Sequence, residues 1–426
     1  METAIVVLAF VLLALLGAPL FTIIGAIALL AFSGQGIDPS VIIVDLTRIA
    51  TNPTLVAIPL FTFGGYLLAE SKAPIRMVNL ARALFGSIPG GLAVVALLTC
   101  AIFTAFTGAS GVTIVALGGL LYPILLKENY PERFSLGLVT TSGSLGLLFP
   151  PSLPIILYGL VASISIDKLF AAGLLPGLLL LVLLSGYGVI KVRRLNVPKH
   201  RFVMAEAIAA IKEAAWEIPL PIVIIVGIYT GVFTATEAAA VTAFYVFVVE
   251  VFVYKDLHLS RDIPRVMKDS MLLVGAIIMI ICVAMGLTNF LIDQEIPNAL
   301  FEFTKRFVSS GTMFLVVLNL FLIIVGMMMD IFSAIIVVVP LILPIAKAYG
   351  IDPVHLGIIF LANLEIGYLT PPVGLNLFIS SLRFDKPVFT VVRATLPYIG
   401  ILLVALLIIT YVPQLSLWLV TLLGVK

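Results

Sequence analysis

Two apolar stretches of this 426-residue chain are broken by the same punctuation. The first reads Gly143-Ser144-Leu145-Gly146-Leu147-Leu148-Phe149-Pro150-Pro151, the second Asn363-Leu364-Glu365-Ile366-Gly367-Tyr368-Leu369-Thr370-Pro371-Pro372. One offset of 221 relates Pro371 to Pro150 (371 − 150), Gly367 to Gly146 (367 − 146) and Pro344 to Pro123 (344 − 123). The chain therefore reads as an internal duplication. Proline removes a backbone donor and collides with the preceding turn, so each double proline frees carbonyls and amides inside a run that otherwise reads as membrane helix. Lipid cannot satisfy those groups. They must face a cavity and bind something, and interrupted helices at matching places in two halves are the sequence pointer to a secondary transporter's site.

Composition agrees with a membrane setting. The chain is 62% hydrophobic and 11% charged, against roughly 25% charged in soluble domains, and its mean hydropathy is +1.25. An all-α polytopic membrane protein is expected. The first apolar run, residues 4–32, lacks a basic leader and exceeds the ~7–15 residues of a signal-peptide core, so it reads as a retained helix. A net charge of +2 spread over short loops gives no sign of nucleic acid. Cys100 and Cys282 lie in apolar runs and read as buried small hydrophobes. His200, His258 and His355 are isolated in polar or loop-like sequence, without metal spacing, and read as ordinary interface residues.

Further apolar runs cover about 53–69, 88–126, 134–165, 169–190, 218–253, 270–292, 312–346, 354–382 and 395–423. Several exceed the ~20 residues of one crossing. The chain divides into repeats at 1–210 and 211–426, each with scaffold helices, a re-entrant hairpin and a broken helix. The hairpins fall at about 92–126 and 312–346, the broken helices at about 134–165 and 354–382. Gly108-Ala109-Ser110-Gly111 suits a hairpin tip. Its counterpart carries Asp330, 220 positions after Ser110 (330 − 110) and so one residue from the offset, which puts a polar side chain at each tip. Inverted and parallel repeats would match equally well, and the inverted orientation rests on analogy with carriers of this architecture. The basic cluster at Lys191, Arg193, Arg194, Lys199 and Arg201 points to the cytoplasm. Residues 204–216 form either an interfacial helix with Trp216 at headgroup level or an ordinary polar loop.

Asp330 lies between two apolar stretches, where a carboxylate is expensive and functional by default; the competing reading is a helix cap. Around the breaks the oxygen inventory suits sodium, a hard cation: Thr140, Thr141, Ser142, Ser144, Gly143 and Gly146 in the first half, Asn363, Gly367, Thr370 and Asn376 in the second. Close packing of small residues would explain the glycines but not the repeated prolines. Half-helices restarting at Ser152 and Val373 would turn amides toward an anionic group. Glu237 fits a first-turn cap with Thr234 or Thr236. Glu365 faces either the ion cavity or a partner helix.

The tip Phe103-Thr104-Ala105-Phe106-Thr107-Gly108-Ala109-Ser110-Gly111, the break at 143–151, Thr236-Glu237-Ala238 and Leu369-Thr370-Pro371-Pro372-Val373-Gly374-Leu375-Asn376 together resemble the large membrane subunit of tripartite ATP-independent periplasmic (TRAP) transporters, the DctM-like or SiaM-like family. The resemblance spans the chain. It implies two inverted repeats and an elevator-type carrier of the ion-transporter superfamily in the bacterial inner membrane. It also implies import of an organic acid, such as a C4-dicarboxylate or sialic acid, driven by two or more sodium ions. Implied partners are a four-helix small membrane subunit and a periplasmic substrate-binding protein, within the lipid bilayer. By motif match, substrate falls beside Thr107, Ser110, Pro151, Asp330, Pro372 and Asn376. Sodium falls beside Ser110, Ser142, Gly143, Gly146, Asp330, Asn363, Gly367 and Thr370. Nothing before Met1 supplies the small subunit, so it is expected from another polypeptide. No arginine lies between Arg82 and Arg133 or between Arg306 and Arg383, which leaves the partner of a substrate carboxylate open.

Competing classes are a single-component sodium/carboxylate symporter, a channel, and an intramembrane enzyme. A pore would want a ring of like groups. An enzyme would want a metal cluster or a nucleophile with its base, and the sequence shows no such motif.

Overall fold

The computed structural model describes residues 9–424 apart from 11, 14, 15, 39, 42, 45, 46, 48–50, 52, 89 and 194–201. All regular elements among the described residues are helical. Eight helices are long and apolar enough to cross a membrane, and the helices flanking the first double proline, bent by 42°, form a possible ninth span. The chain is a multi-pass membrane protein. Of the first apolar run, Leu20–Gly34 is a described helix, while residues 1–8 fall outside the description, as do Arg194, Lys199, His200 and Arg201.

Helix bounds recur at the offset seen in the sequence. Moved by 221 positions, Gly91–Thr107 falls on 312–328, where the observed helix is Gly311–Met328. Ser110–Lys127 falls on Ile331–Ala348. Glu132, which opens the first pre-break helix Glu132–Ser142, falls on Pro353, which opens Pro353–Gly367. Gly108, at φ +64°, ends the first arm of the first hairpin in a left-handed turn. Asp330 caps the returning arm of the second. The matching cap is Ala109 (330 − 221), and Ser110 corresponds to Ile331, the one-residue difference already present in the sequence spacing.

Two long runs divide where backbone chemistry demands it. Residues 218–253 separate into Pro219–Tyr229 and Ala235–Val253 around Gly231 at φ +73°. Thr234 and Glu237 form a reciprocal capping box at the second of these helices, the structural role expected for Glu237. Val388–Tyr411 and Gln414–Leu422 divide at Pro413. The half-helices start at Leu153 and Leu375, later than expected, with both double prolines ahead of the first helical turn. His355 is a correction: it lies buried within Pro353–Gly367, its ring nitrogens 3.2 Å from Ser416 Oγ and 3.3 Å from Thr410 O. Met204–Glu213 is helical, with Trp216 exposed just beyond it. Cys100 and Cys282 are buried and free.

The halves interlock. The first arm of each hairpin packs on the pre-break helix of its own half, and the returning arm packs on the post-break helix of the other half. The start of each broken helix also lies against the end of the other. Tyr158 OH, near the end of the first, donates to Pro353 O at 2.9 Å, while Lys386, just past the end of the second, pairs with Glu132.

Ion pairs gather at the end of the molecule that holds Glu132. Arg82 meets Glu128 at 3.0 Å and Arg265 meets Glu70 at 2.8 Å. Arg76, only 5% exposed, is surrounded by Glu217, Glu250 and Asp256. Its guanidinium lies 3.8 Å from the centre of the Tyr254 ring. Lys191 and Arg193 end Ile166–Arg193 at the same side, since Val189 touches Gly90 at the foot of the first hairpin.

Candidate functional site

The two hairpin tips converge on the two breaks. In the first half, Thr104 Oγ1 donates to Gly143 O at 2.9 Å and lies 2.7 Å from Thr113 Oγ1, tying both arms of the hairpin to the unwound segment. Ser110, at the tip, donates from Oγ to Asn376 Oδ1 at 2.7 Å, so the first hairpin reaches the second broken helix. The positions 221 residues away, Ile331 and Ile155, are both apolar. The polar bridge therefore belongs to one side of an otherwise repeated arrangement.

At the second tip, Asp330 Oδ2 accepts from the amides of Phe332 and Ser333, each at 3.0 Å, and Oδ1 accepts from Ser333 Oγ. Tyr368 OH accepts from the Ile331 amide, and Tyr368 O accepts from Asn376 N at 3.2 Å. Gly374 N donates to Met327 O at 3.1 Å. Tyr368 thus links Asp330's tip to Asn376, and through Asn376 to Ser110. Asp330, Pro371, Pro372 and Val373 are exposed, whereas Pro150 and Pro151 are buried.

Glycines let the hairpins approach this closely. A Cβ on Gly146 would lie 2.3 Å from Ala101 O and 2.5 Å from Ala105 N; one on Gly367 would lie 2.5 Å from Gly326 C. Both breaks therefore press backbone to backbone on the first arm of their own hairpin, the close-packing role weighed for these glycines.

Other expected site residues are spread through this layer. Ser142 donates to Val139 O at 3.2 Å and Thr370 to Ile366 O at 2.9 Å, both within their own helix ends. Asn363 Nδ2 donates to Asn319 Oδ1 at 2.7 Å and to Ile359 O at 2.8 Å. Thr107 Oγ1, Thr141 Oγ1, Ser152 Oγ, Asn363 Oδ1 and Asn376 Nδ2 are buried without a hydrogen-bond partner among the described residues. Both carboxylate oxygens of Glu365 share that condition. Buried polar atoms left open at the meeting of unwound helices are suited to a polar ligand or ion.

Sequence reading missed Thr113, Asn319, Tyr368 and the cluster around Arg76. Asn319 and Glu250 had a signal, since each is a polar residue within an apolar run. Tyr368 had none, because an aromatic beside a break reads as packing.

Asp330's cap yields a stability expectation. Asp330→Asn keeps an oxygen for the two amides and should leave the melting temperature nearly unchanged, while Asp330→Ala should cost about 1 kcal/mol. Equal melting of all three proteins would remove the cap from the account.

Comparison with known proteins gives this geometry its context. Residues 5–415 match the family described as "Tripartite ATP-independent periplasmic transporter, DctM component". The chain is 39% identical over 404 residues to the C4-dicarboxylate TRAP transporter large permease protein DctM of Pseudomonas aeruginosa, covering 94% of each. It is 32% identical to the ectoine TRAP transporter large permease protein TeaC of Halomonas elongata, covering 98% of each. An isethionate permease of Oleidesulfovibrio alaskensis, named DctMQ, is 32% identical over 96% of this chain and 65% of its own length. The fold also resembles that of the Alcanivorax borkumensis YdaH transporter, with a TM-score of 0.66 over 98% of both chains at 14% identity. With a family match across nearly its whole length and relatives of that similarity, the chain belongs to the DctM family and is the large permease subunit of a TRAP transporter, not an enzyme.

Proposed function

We propose that this subunit imports a C4-dicarboxylate across the bacterial inner membrane, driven by sodium, through an elevator movement of two inverted repeats. The observation that carries the proposal is the convergence of both hairpin tips on both breaks, with buried Thr107, Asn363, Ser152 and Asn376 atoms lacking partners there. Carbonyls of the unwound segments and these side chains offer oxygen ligands to sodium. The half-helices at Leu153 and Leu375 point amide ends toward the same region, where an anionic head group is favoured.

Opposed broken helices, each starting beside the other's end, support inversion. The hairpins and broken helices would form the mobile unit. Leu20–Gly34, Ala57–Glu70, Ala235–Val253 and Asp262–Asp293, which pack on one another, would form the scaffold. The end holding Arg76, Arg82, Arg133, Lys191, Arg193 and Arg265 would face the cytoplasm. Dicarboxylate is taken over sialic acid because three relatives at 37–39% identity carry the C4-dicarboxylate name. Ectoine and isethionate, named for other relatives, are alternatives that the assay distinguishes.

The partners proposed are a small four-helix membrane subunit and a periplasmic binding protein. The test is reconstitution of all three in proteoliposomes. Succinate uptake should require an inward sodium gradient and should be absent when the large subunit stands alone. Equal uptake on a proton gradient in sodium-free buffer would refute sodium coupling. Robust uptake by the large subunit alone would favour a single-component symporter. Asp330→Asn should remain folded yet transport little, since it keeps the cap and loses the charge; normal uptake would confine Asp330 to capping.

A further inference from the structure

At the basic end of the molecule, away from the breaks, a cavity of about 470 Å³ is lined by Glu132, Arg133, Leu136, Lys386, Pro387, Thr390 and Arg393. Glu132 pairs with Lys386. Arg133 turns Nε and Nη2 onto Arg393 O at 3.1 and 2.8 Å, which fixes its guanidinium beside the opening. Among the described residues Arg393 has no carboxylate partner, and its guanidinium lies 4.4 Å over the Phe389 ring. Three cations face one carboxylate, a surplus of two positive charges (3 − 1).

Beside this cavity the apolar side chains next to Arg393 face outward: Phe389, under its guanidinium, is 64% exposed, and Leu396, one turn further on, 54%. Phe389, Arg393 and Leu396 share one face of Val388–Tyr411 at spacings of four and three. The guanidinium therefore rises between side chains suited to acyl chains, as a cation does at the edge of a bilayer. A soluble anion would use the charges and gain nothing from those side chains.

We propose that this cavity is a binding site for the phosphodiester head group of an anionic diacyl phospholipid. Its phosphate would sit between Arg133 and Arg393, with Thr390 offering a hydroxyl and the acyl chains lying along Phe389 and Leu396. Basic pockets between transmembrane helices are the recurrent sites for such lipids. The cavity joins the start of the first pre-break helix to the start of Val388–Tyr411, so a bound lipid ties both halves together at this end.

Native mass spectrometry of the full chain with phosphatidylglycerol or phosphatidylcholine tests it. One phosphatidylglycerol should be retained in preference to phosphatidylcholine. Arg393→Gln should weaken that retention about fivefold, and Arg133→Gln with Arg393→Gln about twenty-fivefold, at roughly one factor of five per cation near a charged surface. Melting temperature checks folding, and the single Arg393→Gln variant, which breaks no ion pair among the described residues, carries the test if the double variant misfolds. Equal retention of the two lipids, or retention unaffected by Arg393→Gln, would overturn the proposal. Displacement of the lipid by millimolar inorganic phosphate would also overturn it, marking a soluble-anion site.

Discussion

Arg76→Met is expected to destabilise the chain by about 3–5 kcal/mol, because it leaves a set of buried carboxylates without their cation. Arg76 reaches Asp256 at 2.6 Å and Glu250 at 3.0 Å and also contacts Glu217, whose other oxygen accepts from Tyr254 OH at 3.0 Å. These groups come from four places in the chain: Ala73–Phe85, the segment after Met204–Glu213, Ala235–Val253 and the loop beyond it. The cluster therefore ties these four segments together at one end. Arg76→Lys should recover only part of the loss, since a point charge cannot serve three carboxylates as a planar fork does. Adding Glu250→Gln to Arg76→Met should recover part of it as well, because one unpaired charge is removed. Thermal unfolding of the detergent-solubilised proteins gives the comparison, and an Arg76→Met protein that melts within a degree of the parent would contradict the buried cluster.

Gly367→Ala is expected to cost about 1–3 kcal/mol through overpacking and to suppress uptake. The added methyl would meet backbone atoms of Gly326 and Met327 at 2.5–2.8 Å, and backbone cannot turn aside as a flexible side chain can. The hairpin must then move off the break, which pulls the Met327 carbonyl from Gly374 N and disturbs the tip that carries Asp330. Gly146→Ala should behave alike, against Ala101 O. Gly400→Ala is the control: nothing lies within 4 Å of the new Cβ, and a mid-helix alanine is favoured over glycine by up to about 1 kcal/mol. Uptake by the reconstituted transporter at parental level in Gly367→Ala would show that the contact between hairpin and break is slack.

Much of the layout was legible because proline and glycine act locally. A double proline breaks a helix whatever surrounds it, and a repeated spacing survives in the residue numbers, so both hairpins and both breaks could be placed before any contact was known. The Thr234–Glu237 cap was readable for the same reason, since a capping box is complete within four residues. Ser110 and Asp330 were put at the two tips, one residue apart in the repeat, and lie there. Ser110's hydrogen-bond partner, Asn376, lies 266 residues away, and no local rule connects them. His355 was misplaced because Gly350, Asp352 and Pro353 just before it resemble a loop, while its ring partners, Ser416 and Thr410, are distant in sequence.

The sequence by itself determined an all-helical membrane chain whose helices stop at two double prolines, because hydrophobic length and proline chemistry are properties of neighbours along the backbone. Only the tertiary structure decided which tip meets which break, that Asp330 caps a helix at an exposed edge, and that Arg76 gathers carboxylates from separate elements. Those outcomes depend on which groups become neighbours once the halves interlock. A buried charge or open amide is worth what its partners make it, and the partners exist only after the chain has packed.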